Sequence, residues 1–463
     1  MLKGIRLQAN PTKAQQEKLS QWMGCARYIW NAKCHWDKEQ RQILADKGEY
    51  PVVDATYSQY KSQETTPWLY ECPSVLLRNS VSNWYSTYRD FFKKKCGRPV
   101  KKKRDGSGSI YLTRELFRFE KCPDGVTRLF IGTKKHNLGH LSIKNHSSYK
   151  LPNSIYIKKK YNKYWVSFCY EIEDQKKAKS EQEHLRYFRK KSEKYLEKHT
   201  IGIDRGVVRP VQSSQSADYY EPTQAVKEQK ERTERQLKVL QKKLSRQAKG
   251  SNRRYRSKVR IAAKHRKISN QRNNFCHQVS RKLVSNPKTK IIVLEDLKTS
   301  RMTRRPKAKQ DANGKWLKNN ARAKAGLNKS ILDKSWHKLE VYTKYKALAE
   351  NKVVFKVSAH HTSQECAHCH HIHPSNRASQ SDFKCQSCGH TDNADVNAAK
   401  VIKQRAIKLI LNSGTELSKS GVLSLKDKGR GAIVRPIGSS ELLGGGCEAS
   451  KKNGALPLEA LVL

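Results

Sequence analysis

The sequence predicts a multidomain α/β protein, and three observations support this fold class. Helical periodicity dominates residues 12 to about 96, short β-like runs follow from 109 to 173, and beyond residue 200 short apolar strands alternate with long helices. A chain of 463 residues is long enough for several domains, each with its own core. We therefore expect a helical domain, a small antiparallel barrel and an α/β domain, in that order.

The composition predicts a polyanionic partner. Lys and Arg number 95 against 41 acids, a formal net charge of +54, so a compact particle would repel itself unless a polyanion neutralised it. Nucleic acid is the natural counterion. A membrane surface is the alternative, but the basic residues are spread along the chain and no apolar run approaches the roughly 18 residues of a spanning helix. The first residues lack the apolar segment of a signal peptide, so we expect a cytoplasmic location without a membrane partner.

The first part of the chain predicts the helical domain and the barrel. An opening strand at residues 3–9 meets the helix-start signal Asn10-Pro11-Thr12, and apolar residues recur at helical spacing after it and again from 75 to 92. Short strand-like runs between 109 and 172, with a hairpin turn at 160–163, predict a small antiparallel barrel that the opening strand can join.

A charged connector at 174–199 separates this part from an α/β domain that contains an unusually basic helical pair. Residues 227–282 carry 20 Lys and Arg against three acids and read as two long helices broken near 250–252. Such a charge run is usually only a solvated face, but 17 net positive charges would weaken a helix pair with nothing bound, so we favour polyanion contact. Its candidate contacts are Arg253, Arg254 and Arg256.

A double pair of cysteines predicts a structural zinc site. The motif Cys366-Ala367-His368-Cys369 is followed after fifteen residues by Cys385-Gln386-Ser387-Cys388, and two such knuckles place four thiolates at the corners of a tetrahedron. Nearby histidines could replace a cysteine, but the complete four-cysteine set needs none. Four protein ligands leave no open position for a substrate, so one Zn²⁺ would hold the loop together. The eight other cysteines are scattered singly and read as ordinary thiols of a reducing compartment.

Three acids make a candidate catalytic set. Asp204 and Glu295 each end an apolar strand, and Asp395 begins a helix directly after the cysteine segment. Each alone is weak, because a carboxylate commonly ends a strand or caps a helix. Together they can converge on two divalent cations about 4 Å apart, which suits phosphodiester hydrolysis. Asp296 competes with Glu295, but on a strand its side chain would point to the opposite face.

The order of these motifs resembles the RuvC-like nuclease domain of TnpB proteins, which bacterial and archaeal insertion sequences encode and which are relatives of type V CRISPR effectors. The likeness runs from about residue 3 to 410. It is carried by Asn10-Pro11-Thr12, Gly24 to Asn31, Gly202-Ile203-Asp204-Arg205-Gly206, Val293-Leu294-Glu295-Asp296-Leu297, the paired cysteine knuckles, and Ala394-Asp395-Val396-Asn397-Ala398-Ala399.

The resemblance implies an RNase H-like fold and RNA-guided cleavage of double-stranded DNA beside a short motif, in a prokaryotic cell and in contact with the nucleoid. It implies a guide RNA from the element's own end, Mg²⁺ at Asp204, Glu295 and Asp395, and a monomer on RNA, with an oligomer left open. The implied segments are a first wedge-barrel strand at 1–10, a helical recognition domain at 11–97, a wedge β-barrel at 98–174, a linker at 175–199, a RuvC-like nuclease domain at 200–362 with the basic helical pair at 222–285, a zinc ribbon at 363–392, a last RuvC-like helix at 393–412 and a mostly disordered tail at 413–463.

The same resemblance points to residues that read the adjacent motif, where the helical domain meets the barrel. Arg78 occupies the helix position that the resemblance favours for a base contact. An exposed Arg suits guanine in a major groove, although a solvated Arg is commoner. Further candidates are Asn79, Tyr57, Ser58, Thr113 and Arg114.

One departure from the family concerns charge beside the last acid. Many relatives read Asp-Arg-Asp before Asn-Ala-Ala, whereas this chain reads Asn393-Ala394-Asp395 and lacks the arginine. Arg377 is the nearest candidate to supply positive charge to the cleaved phosphate, with a plain loop cation as the alternative. The glycine-rich tail is a second departure, for which the resemblance implies no chemistry.

Three rival functions are open at this stage. A transposase or integrase of the same fold class would use a similar trio of acids for strand transfer, but the zinc loop and the separate helical and barrel domains suit guide handling better. A guide-bound repressor predicts a broken trio, and this trio is whole. A plain zinc-ribbon DNA-binding module leaves the carboxylate-tipped strands unexplained.

Overall fold

The computed structural model describes residues 2–45, 47–49, 51–104, 106–121, 127–145, 148–171, 179–215 and 219–412. They form two compact units, one of residues up to 171 and one of residues 179–412. The tail expected to be disordered lies outside the described residues.

The first unit combines two long helices with antiparallel sheets. Its elements are β1 (Leu2–Ala9), α1 (Lys13–Ala45), α2 (Ser74–Phe92), β2 (Ser107–Thr113), β3 (Phe117–Lys121), β4 (Thr127–Gly132), β5 (Asn137–Leu141), β6 (Ile143–Lys144), β7 (Ser154–Lys160) and β8 (Lys163–Glu171), with 3-10 turns at Ser58–Tyr60, Pro67–Leu69 and Arg114–Leu116. Five strands pair in the order β2-β7-β8-β1-β6, and β3-β4-β5 form a second sheet.

Alternation along the strands explains the core of this unit. Ile110, Ile157, Val166 and Leu7 are register neighbours on β2, β7, β8 and β1, and all four are buried. The predicted hairpin is confirmed, because Lys160 pairs with Lys163 across the turn. Among the described strands the pairings leave β2 and β6 at the edges of the five-stranded sheet, so closure into a barrel stays a prediction.

The second unit is an α/β domain, which confirms the predicted class. Its elements are α3 (Glu181–Arg189), α4 (Glu193–His199), β9 (Thr200–Asp204), β10 (Val211–Ser213), β11 (Tyr219–Tyr220), α5 (Gln224–Ser245), α6 (Asn252–Ser285), β12 (Ile291–Glu295), α7 (Thr299–Met302), β13 (Lys309–Gln310), β14 (Trp316–Leu317), α8 (Ala321–Asp333), α9 (Trp336–Ala349), β15 (Val353–Val357), β16 (Asp382–Lys384), β17 (Thr391–Asn393) and α10 (Ala394–Asn412), with a 3-10 turn at Pro374–Asn376.

Its central sheet has the strand order β11-β10-β9-β12-β15. β10 pairs antiparallel with both β11 and β9, whereas β12 runs parallel to both β9 and β15. Alternate residues of the strands enter two separate cores: Ile291 and Val293 pack with α10, and Ile292 and Leu294 pack with α6 and α9. The carboxyl ends of β9, β12 and β15 therefore meet at one edge, with helices on both faces of the sheet.

The described part of the expected linker at 175–199 is helical instead. α3 and α4 bury Leu185, Phe188 and Leu196 in the core that contains α10. These helices are difficult to recognise in the sequence, because charged residues surround the three apolar residues that are buried. None of the described helices is both long enough and apolar enough to cross a membrane.

Candidate functional site

Asp204 and Glu295 are the last residues of two neighbouring parallel strands. Ile203 of β9 pairs with Leu294 of β12, so the next residues along the two strands lie side by side at the carboxyl edge of the sheet. Their side chains are close enough for each to influence the pKa of the other. The sheet itself therefore brings these two predicted acids together.

The third acid, Asp395, is delivered by α10. This helix packs directly on β9, because Gly202 has no side chain: a Cβ there would lie 2.1 Å from the carbonyl oxygen of Ala399 and 2.6 Å from the amide nitrogen of Lys403. Asp395 lies in the first turn of α10 and is buried. The Asn393 side chain accepts a hydrogen bond from its amide at 3.1 Å.

The three carboxyl groups form a cluster with excess negative charge. Burial raises the pKa of Asp204 well above its usual value, and the charges of Glu295 and Asp395 raise it further. Burial also raises the pKa of Glu295 and that of Asp395, although cationic neighbours partly oppose the shift at both. A site that resists ionisation of its own carboxylates gains stability when a cation enters, so the donor set fits a divalent metal ion.

The spacing of the carboxylates differs from that of a compact single-ion cluster. Among the described residues, the only group of three or more His, Cys, Asp or Glu ligand atoms lying within 4.8 Å of one another is the four-cysteine group. A pair of ions about 4 Å apart needs a more widely spread ligand set than one ion does.

Asp296 has a different environment from Glu295, as expected from strand alternation. Its carboxylate pairs with Lys298, and one of its oxygens lies 3.6 Å from Nζ of Lys356. Although burial acts to raise it, the pKa of Asp296 is lowered by these two lysines. Asp296 is thus a neutralised acid outside the cluster.

Two residues that hold Glu295 were not among the sequence candidates. Thr362 Oγ1 donates a 2.6 Å hydrogen bond to Oε1 of Glu295, and the buried Arg205 guanidinium donates to the backbone carbonyl of Glu295. Arg205 Nη1 also lies 3.6 Å from the carboxylate of Glu340 on α9. Arg205 stands beside Asp204 in the motif and could have been suspected, whereas nothing in the sequence singles out Thr362.

Arg377, the sequence candidate for a source of positive charge, lies beside Asp395. Its Nη2 lies 3.5 Å from Oδ1 of Asp395 and donates to the carbonyl of Gln380 at 2.9 Å. Arg209 is a second cation near Asp395, and its Nη1 donates to Asn393 at 3.3 Å.

The four cysteines form a site that fits zinc. The sulfur atoms of Cys366 and Cys388 are 3.7 Å apart, and those of Cys369 and Cys385 are 3.5 Å apart. Zn–S bonds of about 2.3 Å in a tetrahedron place sulfur atoms about 3.8 Å from one another. The two knuckles also fold alike: the amides of His370 and Gly389, both with a positive φ, donate to the carbonyls of Cys366 and Cys385 at 3.0 and 3.1 Å.

Side chains of α10 connect this helix to the four-cysteine segment, residues 363–392. Asn397 of α10 donates to the carbonyl of Glu365 at 2.8 Å and accepts from the amide of Ala367 at 2.9 Å. Arg405 of α10 donates through Nε to the carboxylate of Glu365 at 2.8 Å. The helix that carries Asp395 is thereby hydrogen-bonded to the first knuckle.

Asn376 joins the two knuckles to each other. Its side chain donates to the carbonyls of Gln364 and His371 at 2.9 and 3.1 Å and accepts from the amide of Gln386 at 2.9 Å. Because Asn376 is fully buried, each of these bonds is costly to lose.

In the first unit, several motif-reading candidates meet where α2 packs against the end of β2. Arg78 Nη2 lies 2.6 Å from the carboxylate of Glu115, and both side chains are about half exposed. Asn79 is buried and donates to the carbonyl of Tyr111 and to Thr113 Oγ1, both at 3.3 Å, so it stabilises the end of β2 and does not face solvent. Arg114 is exposed beside Thr113.

The two other candidates in this unit lie near the start of α2. The Tyr57 hydroxyl donates to the carbonyl of Ser74, the first residue of α2, at 3.3 Å. Ser58 opens a 3-10 turn and is exposed.

The basic helical pair is confirmed as α5 and α6, and its three candidate arginines differ in environment. Arg253 and Arg256 are exposed at the start of α6. Arg254 instead donates through Nη1 to the carbonyls of Leu244 and Gln247 at 2.5 and 2.8 Å, so it stabilises the turn after α5.

Three family models match separate parts of this chain. They are the OrfB_IS605 "Helix-turn-helix domain" at residues 1–34, the OrfB_IS605 "Probable transposase" at 167–305 and the "Cas12f1-like, TNB domain" at 336–402. The last spans the four cysteines and Asp395. In the first range the structure has one strand, β1, and most of helix α1.

Curated relatives resemble this chain along most of its length. The "Putative RNA-guided DNA endonuclease InsQ" of Escherichia coli (strain K12) is 28% identical over 408 residues, which cover 87% of this chain and 91% of that protein. A "Putative RNA-guided DNA endonuclease" of Streptomyces pristinaespiralis is 23% identical over 401 residues, 85% of this chain and 86% of that protein.

Further similarities are more local or more distant. The "CRISPR-associated endodeoxyribonuclease Cas12f1" of Sulfoacidibacillus thermotolerans is 45% identical over 58 residues, 12% of this chain and 14% of that protein. Among solved structures, the mini-RNA-guided endonuclease CRISPR-Cas_phi3 aligns with 89% of this chain and 93% of its own at 10% identity and a TM-score of 0.46. The Cas12f1-sgRNA-target DNA complex aligns with 88% of this chain and 100% of its own at 14% identity and a TM-score of 0.32.

Proposed function

We propose that this chain is a transposon-encoded, RNA-guided DNA endonuclease of the TnpB (OrfB) type that cleaves double-stranded DNA beside a short adjacent motif; the family-model matches and the curated relatives support this proposal. Its partners are a guide RNA from the element's own end and the target DNA, and it acts in the prokaryotic cytoplasm on the nucleoid. The observation that carries the proposal is the meeting of Asp204, Glu295 and Asp395 at the carboxyl edge of one sheet.

The sheet order supports an RNase H-like, RuvC-type nuclease domain. In this reading the strands β9 and β12 hold the first two acids in fixed register, and α10 adds the third across the Gly202 contact. The zinc ribbon at 363–392 lies between the second and third acids in sequence and supports the start of α10. The first unit would contain the recognition domain at 11–97 and the wedge barrel made from strand 1–10 and residues 98–174.

The carboxylates act as metal ligands in this mechanism. Asp204, Glu295 and Asp395 would hold the metal, and bound Mg²⁺ would supply activation of the attacking water and stabilisation of the leaving oxygen. Glu295 is kept in one orientation by Thr362 and by the Arg205 contact to its backbone. Arg377 lies beside Asp395 and supplies positive charge to the phosphate that is cut, in a chain that lacks the arginine many relatives carry next to the last acid.

The adjacent motif is read in the first unit in this proposal. Arg78 is the main candidate, since its present partner Glu115 is exposed and the ion pair can be exchanged for a base contact at little cost. Arg114, Thr113, Ser58 and Tyr57 lie near enough to contribute, and Asn79 positions Thr113.

The decisive experiment uses single alanine variants of the three acids. The protein is purified with its co-expressed element, the bound RNA is sequenced, and cleavage is measured on a target library with randomised flanks. We expect Asp204→Ala, Glu295→Ala and Asp395→Ala each to abolish Mg²⁺-dependent cleavage while RNA and target binding persist. Asp296→Ala is the matched control, because this acid neighbours Glu295 but is neutralised by lysines.

Each negative result has a definite meaning. Cleavage that persists in any of the three alanine variants would move the active site elsewhere. Absence of a discrete co-purifying RNA would refute RNA guidance, and strand transfer by a DNA 3′ hydroxyl would favour a transposase.

A further inference from the structure

Tyr219 stands in one row of the central sheet with the first acid of the cluster. Asp204 of β9 is the register partner of Gln212 on β10, and Gln212 is the register partner of Tyr219 on β11. Register partners on antiparallel strands project from the same face of a sheet, and neighbouring strands lie about 4.8 Å apart. The Tyr219 side chain is therefore on the same face as the Asp204 carboxyl group, with the two backbones about 10 Å apart.

This face of the sheet is the one on which α10 packs. The contact of α10 with β9 is at Gly202, two residues before Asp204, whereas Ile203 belongs to the core on the opposite face. Tyr220 packs against that opposite core as well. Tyr219 is left 52% exposed on the edge strand of the described sheet, so its ring is free to contact a ligand on the face that carries the acids.

Arg209 connects Tyr219 to the third acid. Its Cζ lies 5.5 Å from the centre of the Tyr219 ring, and its Nη1 donates a 3.3 Å hydrogen bond to Oδ1 of Asn393. The same oxygen of Asn393 accepts from the amide of Asp395 at 3.1 Å. The Arg209 guanidinium is thus held between an exposed aromatic ring and the first turn of α10.

The charge of Arg209 is available to a ligand. Among the described residues no carboxylate lies within 4.0 Å of its guanidinium, whereas Arg205 lies 3.6 Å from Glu340. The chain turns sharply just before it, since a Cβ at Gly206 would lie 2.5 Å from the carbonyl oxygen of Arg209. A guanidinium that is held in place and has no carboxylate partner suits a phosphate, which it can bind through two N–H groups.

We infer that Arg209 and Tyr219 form a subsite for one nucleotide of the unpaired DNA strand, next to the phosphate that is cut. Arg209 binds a phosphate of this nucleotide, and the Tyr219 ring stacks on its base. Only an unpaired base exposes a face for such stacking, so the subsite selects a single strand. Because the strand register fixes the separation of Tyr219 and Asp204, the subsite also sets which phosphate reaches the acids. The inference rests on the proposed function for the identity of the strand as target DNA.

The test of Tyr219 pairs a protein variant with a change in the DNA. Full-length protein with its bound RNA cleaves targets in which one abasic nucleotide is moved step by step around the cut. Tyr219→Ala is compared with the wild type in single turnovers at saturating protein. Tyr219→Phe keeps the ring, and Tyr187→Ala removes a tyrosine on α3 that is 41% exposed, as a matched control.

We expect Tyr219→Ala to cut the intact target about tenfold more slowly, because stacking on an aromatic side chain contributes about this factor per base. Target affinity should be unchanged, since pairing with the guide holds the DNA. On the target that lacks the stacked base, Tyr219→Ala and the wild type should cut at equal rates, which a general loss of stability would not produce. Cut positions should scatter in Tyr219→Ala and stay as in the wild type in Tyr219→Phe and Tyr187→Ala.

Arg209 is tested with an uncharged backbone linkage. Arg209→Gln should cut the intact target more slowly, and Arg209→Lys should recover part of the rate. A methylphosphonate at the bound position should slow the wild type but add no further loss in Arg209→Gln. If each methylphosphonate slows both proteins by the same factor, Arg209 binds no phosphate and the subsite is refuted.

A photochemical cross-link separates the subsite from the proposed function. Single-stranded DNA with the sequence of the cut strand and 5-iododeoxyuridine at successive positions is irradiated on the RNA-bound protein, with Ca²⁺ replacing Mg²⁺ to slow cleavage. A cross-link at Tyr219 without guided cleavage by the wild type would refute the proposed function and support the subsite. Guided cleavage without this cross-link, and with equal rate losses on intact and abasic targets, would refute the subsite alone. Cross-linking of Tyr219 to the bound RNA instead would assign the ring to RNA and overturn the inference.

Discussion

At the scale of single residues, Glu295 is the most constrained of the three acids. Its side chain accepts from Thr362, its backbone carbonyl accepts from the buried Arg205, and its strand is paired on both sides. A carboxylate held from several directions keeps one orientation before any ligand arrives. The orientation of Glu295 therefore depends on Thr362 and Arg205.

Replacing Thr362 tests this dependence. Thr362→Val keeps the shape of the side chain but removes the donor to Glu295 Oε1. Loss of a residue that orients a metal ligand typically costs about 10–100-fold in metal affinity or activity. We expect a cleavage rate lower by that factor and a higher Mg²⁺ concentration for half-maximal activity, measured with the guide RNA bound.

The controls separate positioning from general destabilisation. Thr362→Ser restores the hydroxyl and should recover most of the activity. Thr343→Val removes a buried hydroxyl that bonds only within α9, to the carbonyl of Leu339 at 2.8 Å, and should leave the Mg²⁺ requirement unchanged. Equal Mg²⁺ requirements for Thr362→Val and the wild type would contradict the positioning role.

The sequence could predict the acids but not the residues that hold them. Asp204, Glu295 and Asp395 follow recognisable strand and helix signals in a fixed order, and the cysteine spacing specifies its own geometry. Thr362 is an ordinary threonine in a loop, and its contact with Glu295 exists only because β15 lies beside β12 in the sheet. A contact between residues 67 positions apart leaves no trace in local pattern.

At the scale of secondary structure elements, the contact between β9 and α10 decides where the third acid lies. Gly202 permits backbone of α10 to approach closer than any side chain would allow. The motif around Asp204 therefore carries a candidate metal ligand and also forms the surface on which α10 packs.

Adding one methyl group at this contact should displace the helix. The new Cβ of Gly202→Ala would meet backbone atoms of Ala399 and Lys403, which cannot move aside as a flexible side chain could. We expect a loss of about 1–3 kcal/mol or more in the free energy of unfolding, measured in urea, together with a large fall in cleavage. Gly326→Ala in α8 meets nothing within 4 Å and should be neutral or stabilising by up to about 1 kcal/mol. Wild-type cleavage by Gly202→Ala would contradict the required approach.

The four-cysteine segment, residues 363–392, should also stabilise the position of α10. Cys366→Ser removes one ligand from the first knuckle, which Asn397 and Arg405 attach to α10. We expect lower zinc content, faster amide hydrogen exchange across residues 363–393 and reduced cleavage. Cys96→Ser changes an exposed thiol in the first unit and should alter none of these. Unchanged zinc content and activity in Cys366→Ser would refute a structural role.

The elements themselves were predictable to different degrees. The strands that end in acids and the paired basic helices carry strong periodic signals. The helices α3 and α4 were missed, because charged residues mask three apolar positions whose burial depends on a strand and a helix far along the chain. The boundary between α8 and α9 lies at Ser335, where a φ of 54° interrupts the regular backbone, and such a local conformation leaves no periodic signal in the sequence.

At the scale of the whole molecule, the net charge of +54 links stability to the partner. Repulsion among these charges destabilises the free protein, whereas attraction between the same charges and phosphates stabilises the RNA complex. Salt should therefore act in opposite directions on the two states: screening stabilises the free protein and weakens RNA binding.

Thermal unfolding measures both effects. From 50 to 400 mM NaCl, we expect the midpoint of the RNA-free protein to rise and that of the RNA complex to fall until the two approach each other. Complete removal of RNA is verified by the ratio of absorbance at 260 and 280 nm. Parallel salt dependence of the two midpoints would be inconsistent with electrostatic RNA binding.

The position of the zinc segment between Glu295 and Asp395 has a consequence for protein synthesis. As the ribosome extends the chain, the first two acids emerge early, but Asp395 follows only after both knuckles have been made. A nascent chain consequently has an incomplete ligand set until its metal-binding loop can fold. The set of three acids is therefore complete only after the four-cysteine loop, to which α10 is hydrogen-bonded, has been synthesised.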